Sequence, residues 1–389
     1  MSNTLYLNPS ASFKLYGNEI YLYQKDTDSL FVLDEEAFSL LKDASSGIEP
    51  HSLDPDILSF LLTEKILIPE KKSSAEIKKG TFPSVNQPPL KYLHLIITNS
   101  CNFRCRHCYI EFEEKHAEFE LIIKAVSEFE AIGGLRLIVS GGEPLMHPEF
   151  KAINETLKAF TGIRKILNTN GWHVAEMETE KIADLAFEEI QLSLDGPEEV
   201  HDRLRRRGSF VRVLQSAKKI KQAGKHLAIA TVINAWNYGK FKSLSQIVRS
   251  LKPFRWSVDF ICPIKRIEEH GLVPPLKAAL LMQLSFNSGK HEAQKGFACG
   301  ANLCSLLPDG NLVKCDYFPD ISGGNILTKG LLQAWFDLPK IKLEQLECSG
   351  CSLAEICGGG CRYRALFYNK KITGKDPALC LVHGCREGS

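Results

Sequence analysis

No run of apolar residues in this 389-residue chain approaches the roughly 20 that a helical membrane span requires. The first residues lack a basic stretch followed by an apolar core, so no export signal is visible. Charge of one sign is also missing. Lys and Arg number 48 against 46 Asp and Glu, leaving +2 at pH 7, which gives no broad field to attract nucleic acid or an anionic membrane. The short basic run Arg203-Leu204-Arg205-Arg206-Arg207 reads as a solvated loop. Neither an internal repeat nor a low-complexity segment is present. A hydrophobic content of 44% and a charged content of 24% are ordinary for a soluble globular protein, and the length suits two or three domains. The expected setting is the cytoplasm, with no nucleic-acid or membrane partner.

What the chain has in abundance is cysteine. Thirteen cysteines in a secreted protein would suggest disulfides. The odd count and the missing signal oppose that, and metal binding in a reducing compartment is the better account. Cys101, Cys105 and Cys108 stand in Cys101-Asn102-Phe103-Arg104-Cys105-Arg106-His107-Cys108-Tyr109, a CxxxCxxC run. Three thiolates this close can hold three corners of a cubane iron–sulfur cluster, leaving one iron without a protein ligand, whereas four cysteines usually close such a cluster. The open corner suggests a site meant to bind something else. A zinc ion would want four protein ligands, or three and a water. His107 could be the fourth, but its place between the cysteines points it away. The preceding Tyr92-Leu93-His94-Leu95-Ile96-Ile97-Thr98 is apolar and β-rich and reads as a buried strand. The cysteine loop then hangs from the C-terminal end of a strand, where α/β folds place ligands.

A second group of cysteines fills the C-terminal quarter. Cys348, Cys351, Cys357 and Cys361 form CxxCx5CxxxC, upstream lie Cys299, Cys304 and Cys315 with Gly310 at Gx4C, and downstream lie Cys380 and Cys385. A zinc ribbon is the alternative for Cys348–Cys361 alone. Cys262 reads as an apolar filler; Cys385 is a surface thiol or a competitor of Cys380.

Between the two groups, strand patterns at Leu135–Val139, Ile163–Leu167, Glu189–Leu194, Leu227–Val232 and Arg255–Ile261 alternate with helical ones such as Glu149–Phe160, Ser209–Ala223 and Tyr238–Leu251. With Tyr92–Thr98 this gives six βα units and a parallel sheet covered by helices. The first 70 or so residues differ. Short strands at Phe13–Leu15, Glu19–Tyr23 and Ser29–Leu33 are followed by helices at Glu35–Lys42, capped by Asp34, and Pro55–Glu64. The expected domains are therefore 1–72, a small winged-helix-like α+β domain; 73–90, a mobile linker; 91–290, an α/β domain; and 291–389, a cysteine-rich domain.

The CxxxCxxC run with its trailing Tyr109 resembles the signature of the radical S-adenosylmethionine (SAM) superfamily. The resemblance implies a partial (β/α)6 TIM-like barrel and a [4Fe-4S] cluster on Cys101, Cys105 and Cys108, whose open iron is chelated by SAM. Gly141-Gly142-Glu143-Pro144, alone an ordinary turn, is at the place where the family receives the SAM amino group, with Glu143 as its partner. By the same resemblance Ser193 contacts the ribose and Arg212 the SAM carboxylate; a surface helix arginine is the alternative for Arg212. Asn168-Thr169-Asn170-Gly171 lines the pocket or is a plain turn. The C-terminal spacing resembles the SPASM domain, which implies two auxiliary [4Fe-4S] clusters, one on Cys299, Cys304, Cys315 and Cys361, the other on Cys348, Cys351, Cys357 and Cys380. Cys315-Asp316-Tyr317-Phe318 resembles a segment of anaerobic sulfatase-maturing enzymes and makes Asp316 a candidate general base, with a turn-capping role as the alternative. The N-terminal segment resembles the peptide recognition element of maturases of ribosomally made peptides; a leader would add a strand to its sheet, unless the domain is only a cap. These resemblances together imply an enzyme that splits SAM reductively, drawing an electron from a donor such as flavodoxin or ferredoxin. The 5′-deoxyadenosyl radical so formed would then abstract hydrogen from a precursor peptide, giving a thioether or carbon–carbon crosslink. Sulfatase-type oxidation of Cys or Ser, modification of a tetrapyrrole, and a non-enzymatic iron–sulfur electron carrier are the alternatives.

Overall fold

A computed structural model describes residues 4–70, 79–83, 87–110, 112–260, 271–287 and 294–384; Cys262 and Cys385 lie outside them. The chain begins with β1 (Tyr6–Leu7), β2 (Ala11–Tyr16), β3 (Glu19–Gln24), β4 (Ser29–Leu33), α1 (Glu35–Asp43), α2 (Pro55–Thr63), β5 (Leu67–Ile68) and β6 (Lys79–Phe82). Strands β2, β3 and β4 form an antiparallel meander, turned by Gly17 at φ 62° and by Asp28 at φ 61°. Asp34 accepts the Ala37 N–H at 2.8 Å and so caps α1 as expected. The expected linker differs from the reading above. Within it, β6 pairs in parallel with β2, and its Gly80 comes against Gly133 so closely that a Cβ would stand 2.4 Å from the Gly133 Cα.

The second layer of the chain alternates strand and helix. Its elements are β7 (Tyr92–Thr98), α3 (Phe119–Ala131), β8 (Arg136–Gly141), α4 (Phe150–Leu157), β9 (Arg164–Thr169), α5 (Trp172–Glu176), α6 (Thr179–Ala183), β10 (Glu189–Ser193), α7 (Glu198–Leu204), α8 (Ser209–Gln222), β11 (His226–Ile233), α9 (Phe241–Leu251), β12 (Arg255–Phe260) and α10 (Pro275–Met282). The strands stand in the order β12-β11-β10-β9-β8-β7, all parallel. Leu93, Leu95, Leu137, Val139 and Leu167 pack in one core with Ile122, Val126 and Phe129 of α3. The alternate residues His94, Ile138, Asn168, Gln191 and Ser193 are only half-buried and face the other side. This is the six-unit α/β architecture that the strand–helix alternation implies.

The remaining elements are β13 (Leu303–Leu306), β14 (Asn311–Val313), β15 (Ser322–Asn325), α11 (Ile326–Asp337), α12 (Ala354–Cys357), α13 (Arg362–Asn369) and α14 (Pro377–Val382). Strand β13 pairs in parallel with β7, and β14 and β15 follow antiparallel. The cysteine-rich region thus extends the central sheet instead of standing apart.

The two ends of this sheet have different tasks. At the N-terminal ends of the strands, Asp28 enters from the β3–β4 turn and meets Arg136 at 2.7 Å and Arg255 at 2.7 Å. Glu189 completes the group, 2.8 Å from Arg164 and 3.1 Å from Arg255. Burial alone would raise the Asp28 carboxyl, but the arginine charges hold it below the ordinary carboxylate value. The N-terminal domain therefore closes one end of the sheet. The other end carries the first cysteine loop, which follows β7.

Candidate active site

After β7 the chain runs directly into the first cysteine loop. Ser100 donates its N–H to the Thr98 hydroxyl at 3.0 Å, and Phe103 is buried edge-on to Trp172 at 5.8 Å. Cys101, Cys105 and Cys108 are half-buried and form no disulfide with one another. Burial pushes the Cys101 thiol up to about 12, and Glu143 and the other two thiols add to this. Burial likewise raises Cys105, against the nearby charge of Arg205. Thiols that repel one another's ionised forms become thiolates when a metal takes the protons' place.

The loop's position is set by two glycines after β8. A Cβ on Gly141, whose φ is +143°, would come 2.1 Å from the Thr98 carbonyl oxygen, and one on Gly142 would come 2.3 Å from that of Ser100. Glu143 is fully buried, with its carboxylate accepting from the Thr169 hydroxyl at 2.8 Å, the Asn170 N–H at 2.8 Å and the Leu145 N–H at 3.3 Å. Burial raises its carboxyl against those hydrogen bonds. The Asn170 amide donates to the Asn102 side chain at 2.7 Å. The Gly-Gly-Glu and Asn-Thr-Asn segments therefore lock together beneath the cysteine loop. Tyr109 continues the loop, and Ser193 ends β10 on the half-buried face. Arg212 lies in α8, 3.7 Å from Glu176 and stacked over Trp172 at 4.9 Å, so its guanidinium already has protein partners.

Sequence reasoning missed a buried polar group under the loop. Arg205, read above as part of a solvated run, has a side chain only 11% exposed and lies 2.5 Å from Asp195. The other edge of its guanidinium stands 4.0 Å from the Cys105 sulfur. Asp195 also accepts the Val232 N–H at 2.9 Å, while its own N–H goes to His201 at 3.2 Å. His107 points at Asp195, 3.7 Å away, and not at the thiols. The adjoining backbone is tied too, with the Arg106 N–H donating to the Leu204 carbonyl at 2.9 Å. A basic run shows no periodicity, and only its spatial partners reveal which arginine turns inward.

Asp316 sits beside both the cysteine loop and β7. One carboxylate oxygen accepts from the Tyr109 hydroxyl at 2.8 Å and meets His94 Nδ1 at 2.8 Å. Burial would raise this carboxyl, but the His94 charge and the hydrogen bonds of His94, Ser305 and Tyr109 bring it below its ordinary value. His94 Nε2 is buried with no hydrogen-bond partner among the described residues.

The C-terminal thiols fall into two sets, with one correction to the expected ligands. Cys299, Cys315 and Cys361 affect one another's ionisation, around the buried Lys314, whose ammonium donates to the Cys299 carbonyl at 3.0 Å. Cys348, Cys351 and Cys357 form the other set. Cys304 belongs to neither. It lies on β13 beside Leu93, fully buried in the apolar core with Trp335, and among the described residues Lys340 is the one charge that acts on it. The pairing of β13 with β7, invisible in the cysteine spacing, turns this side chain into the core. Among the described residues, no three His, Cys, Asp or Glu side chains converge as the ligands of one ion would. The donors gathered in each set are all thiols, the ligand type that iron–sulfur clusters take.

Residues 95–246 match the family model described as the Radical SAM superfamily. The chain carries a radical SAM domain. Around that domain the fold follows Streptococcus suis SuiB, solved with its precursor peptide SuiA, at a TM-score of 0.71 and 17% identity over 97% of this chain and 99% of that one. The Fe-coproporphyrin III synthase of Methanosarcina barkeri is 21% identical over 346 residues, covering 74% of this chain and 86% of that protein. The mycofactocin maturase MftC of Mycolicibacterium smegmatis is 23% identical over 317 residues, covering 72% and 80%. The radical SAM domain implies an enzyme of oxidoreductase type. No helix among the described residues is long and apolar enough to cross a membrane.

Proposed function

We propose that this chain is a radical SAM peptide maturase with SPASM-type auxiliary clusters. The observation that carries the reading is the N-terminal domain. Strand β4 ends its sheet in the order β4-β3-β2-β6, Val32 on it is 69% exposed, and on the opposite face its neighbour Phe31 packs edge-on against the exposed Phe60 of α2. An extended leader segment would add a strand to this edge and set apolar side chains against that surface. The SuiB fold covers 97% of this chain, so the N-terminal domain falls within the similarity.

Cys101, Cys105 and Cys108 would hold the SAM-binding [4Fe-4S] cluster, and the chemistry such a cluster supplies with SAM is one-electron reductive cleavage to a 5′-deoxyadenosyl radical. Glu143 receives three protein donors, and a carboxylate offers roughly four acceptor directions, leaving one for the SAM ammonium. Ser193 and Tyr109 border the same end of the sheet. Arg212 would reach the SAM carboxylate only by giving up Glu176. Cys299, Cys315 and Cys361 would hold one auxiliary cluster, and Cys348, Cys351 and Cys357, with Cys380, the other. Asp316, held ionised by His94 and Tyr109, orients groups on the substrate side. Flavodoxin or ferredoxin would serve as donor, and the cytoplasm as the setting.

Anaerobically reconstituted protein, given SAM, a strong reductant and short peptides encoded beside its gene, is expected to yield 5′-deoxyadenosine together with a peptide lighter by two hydrogens in mass spectra. Turnover that leaves every such peptide intact while consuming an added tetrapyrrole would overturn the peptide reading. The match to an Fe-coproporphyrin III synthase over 74% of this chain favours that second reading.

A further inference from the structure

The radical SAM reading assigns no task to the buried polar group behind the first cysteine loop. From its geometry we infer that Arg205, held by Asp195, is a positioning residue that donates a charge-assisted N–H···S hydrogen bond to the Cys105 thiolate and raises the reduction potential of the cluster on Cys101, Cys105 and Cys108. The inference rests on that cluster being present.

Three observations converge on it. The Arg205 guanidinium uses one edge for Asp195 at 2.5 Å and turns another toward the Cys105 sulfur at 4.0 Å. Its orientation is fixed from behind, because Asp195 is itself held by the Val232 N–H at 2.9 Å, while Asn237 donates to the Asp195 carbonyl at 2.8 Å. The loop is tied to the same segment by the Arg106 N–H to the Leu204 carbonyl and by Arg206 to the Asn102 carbonyl at 3.2 Å. A planar, permanently charged fork suits such a bridge better than an ammonium.

The electrostatic consequence has a sign. A four-iron core with three thiolates is anionic, and its reduction adds a further negative charge. A buried cation beside one sulfur stabilises the reduced form, and hydrogen bonds to sulfur act the same way. Asp195 works in the opposite direction, further from the sulfur, so the pair is an oriented dipole with its positive end toward the cluster. Removing either end should therefore move the potential in opposite directions. A merely structural role for the pair does not make that prediction.

The test is an EPR-monitored redox titration of the full-length, anaerobically reconstituted protein, following the iron–sulfur signal that changes on adding SAM. Arg205→Met is expected to shift its midpoint to more negative potential and Asp195→Asn to less negative potential. Arg207→Met, which removes an exposed cation from the same basic run but no donor to sulfur, should leave it in place. Should Arg205→Met take up no iron, the sign for Asp195→Asn decides alone. An unshifted Arg205→Met, or an unshifted, lowered or iron-free Asp195→Asn, overturns the inference. A wild-type protein with no SAM-responsive signal would instead overturn the cluster assignment itself, so the two failures are distinguishable.

Discussion

Cys299 and Cys304 are neighbours in sequence with opposite surroundings. Cys299 lies with Cys315, Cys361 and the buried Lys314, and Cys304 lies in the apolar core. Replacing Cys304 by Val, which fills similar space, should leave the iron and sulfide content unchanged, whereas Cys299→Ala should lose iron. Cys304→Ser, which buries a hydroxyl without a partner, should cost about 1–3 kcal/mol in chemical unfolding. A Cys304→Val protein that loses iron would restore this residue to the ligand set. His201 supplies a second test. Burial lowers its pKa from 6.5 to about 4, so between those values the unfolded chain takes up a proton that the native chain refuses. Stability should be complete above pH 6.5 and fall with pH below it, by ~3 kcal/mol at most for this residue. His201→Gln should flatten that slope in urea titrations at pH 7, 6 and 5; an unaltered slope would contradict the assignment.

At the scale of elements, close backbone approach decides the geometry. Gly141→Ala would drive a methyl group into the Thr98 carbonyl at 2.1 Å, displacing the strand end from which the first cysteine loop hangs. The expected result is loss of iron uptake with the far-ultraviolet circular dichroism preserved. Normal iron uptake would show that the loop tolerates the shift. At the other end, Asp28→Ala leaves Arg136, Arg164 and Arg255 with Glu189 as the one remaining carboxylate of their buried group. Breaking such a group costs about 3–5 kcal/mol, and the thermal unfolding midpoint should drop accordingly. The elements themselves were legible in the sequence, since alternating apolar strands and amphipathic helices need no distant partner to be recognised, and Asp34 announced its helix. What escaped was long-range pairing. Strand β6 inside the expected linker and β13 against β7 depend on contacts between segments far apart in the chain. The misread Cys304 follows directly from the second. In the site, cysteine spacing and Gly-Gly-Glu could be read locally, whereas Arg205 and His94 owe their roles to residues about 100 and 200 positions away.

On the proposed reading, the molecule has a chemical end and a recognition end on one sheet. The cysteine loop, Glu143 and Asp316 gather at the C-terminal ends of the strands, and the N-terminal domain is pinned through Asp28 to the opposite ends. Introducing negative charge at the exposed edge, Val32→Asp with Phe60→Asp, should abolish peptide modification while SAM cleavage continues, as mass spectrometry and chromatography of the nucleoside would show together. Equal loss of both activities would mean that the edge supports the fold and not the peptide. The central claim is that Cys101, Cys105 and Cys108 hold a cluster that cleaves SAM. The most direct measurement is 5′-deoxyadenosine formation by the anaerobically reconstituted protein with SAM and dithionite, compared with a variant carrying alanine at those three positions. The wild-type protein should form the nucleoside and the variant none; equal yields from both would contradict the account.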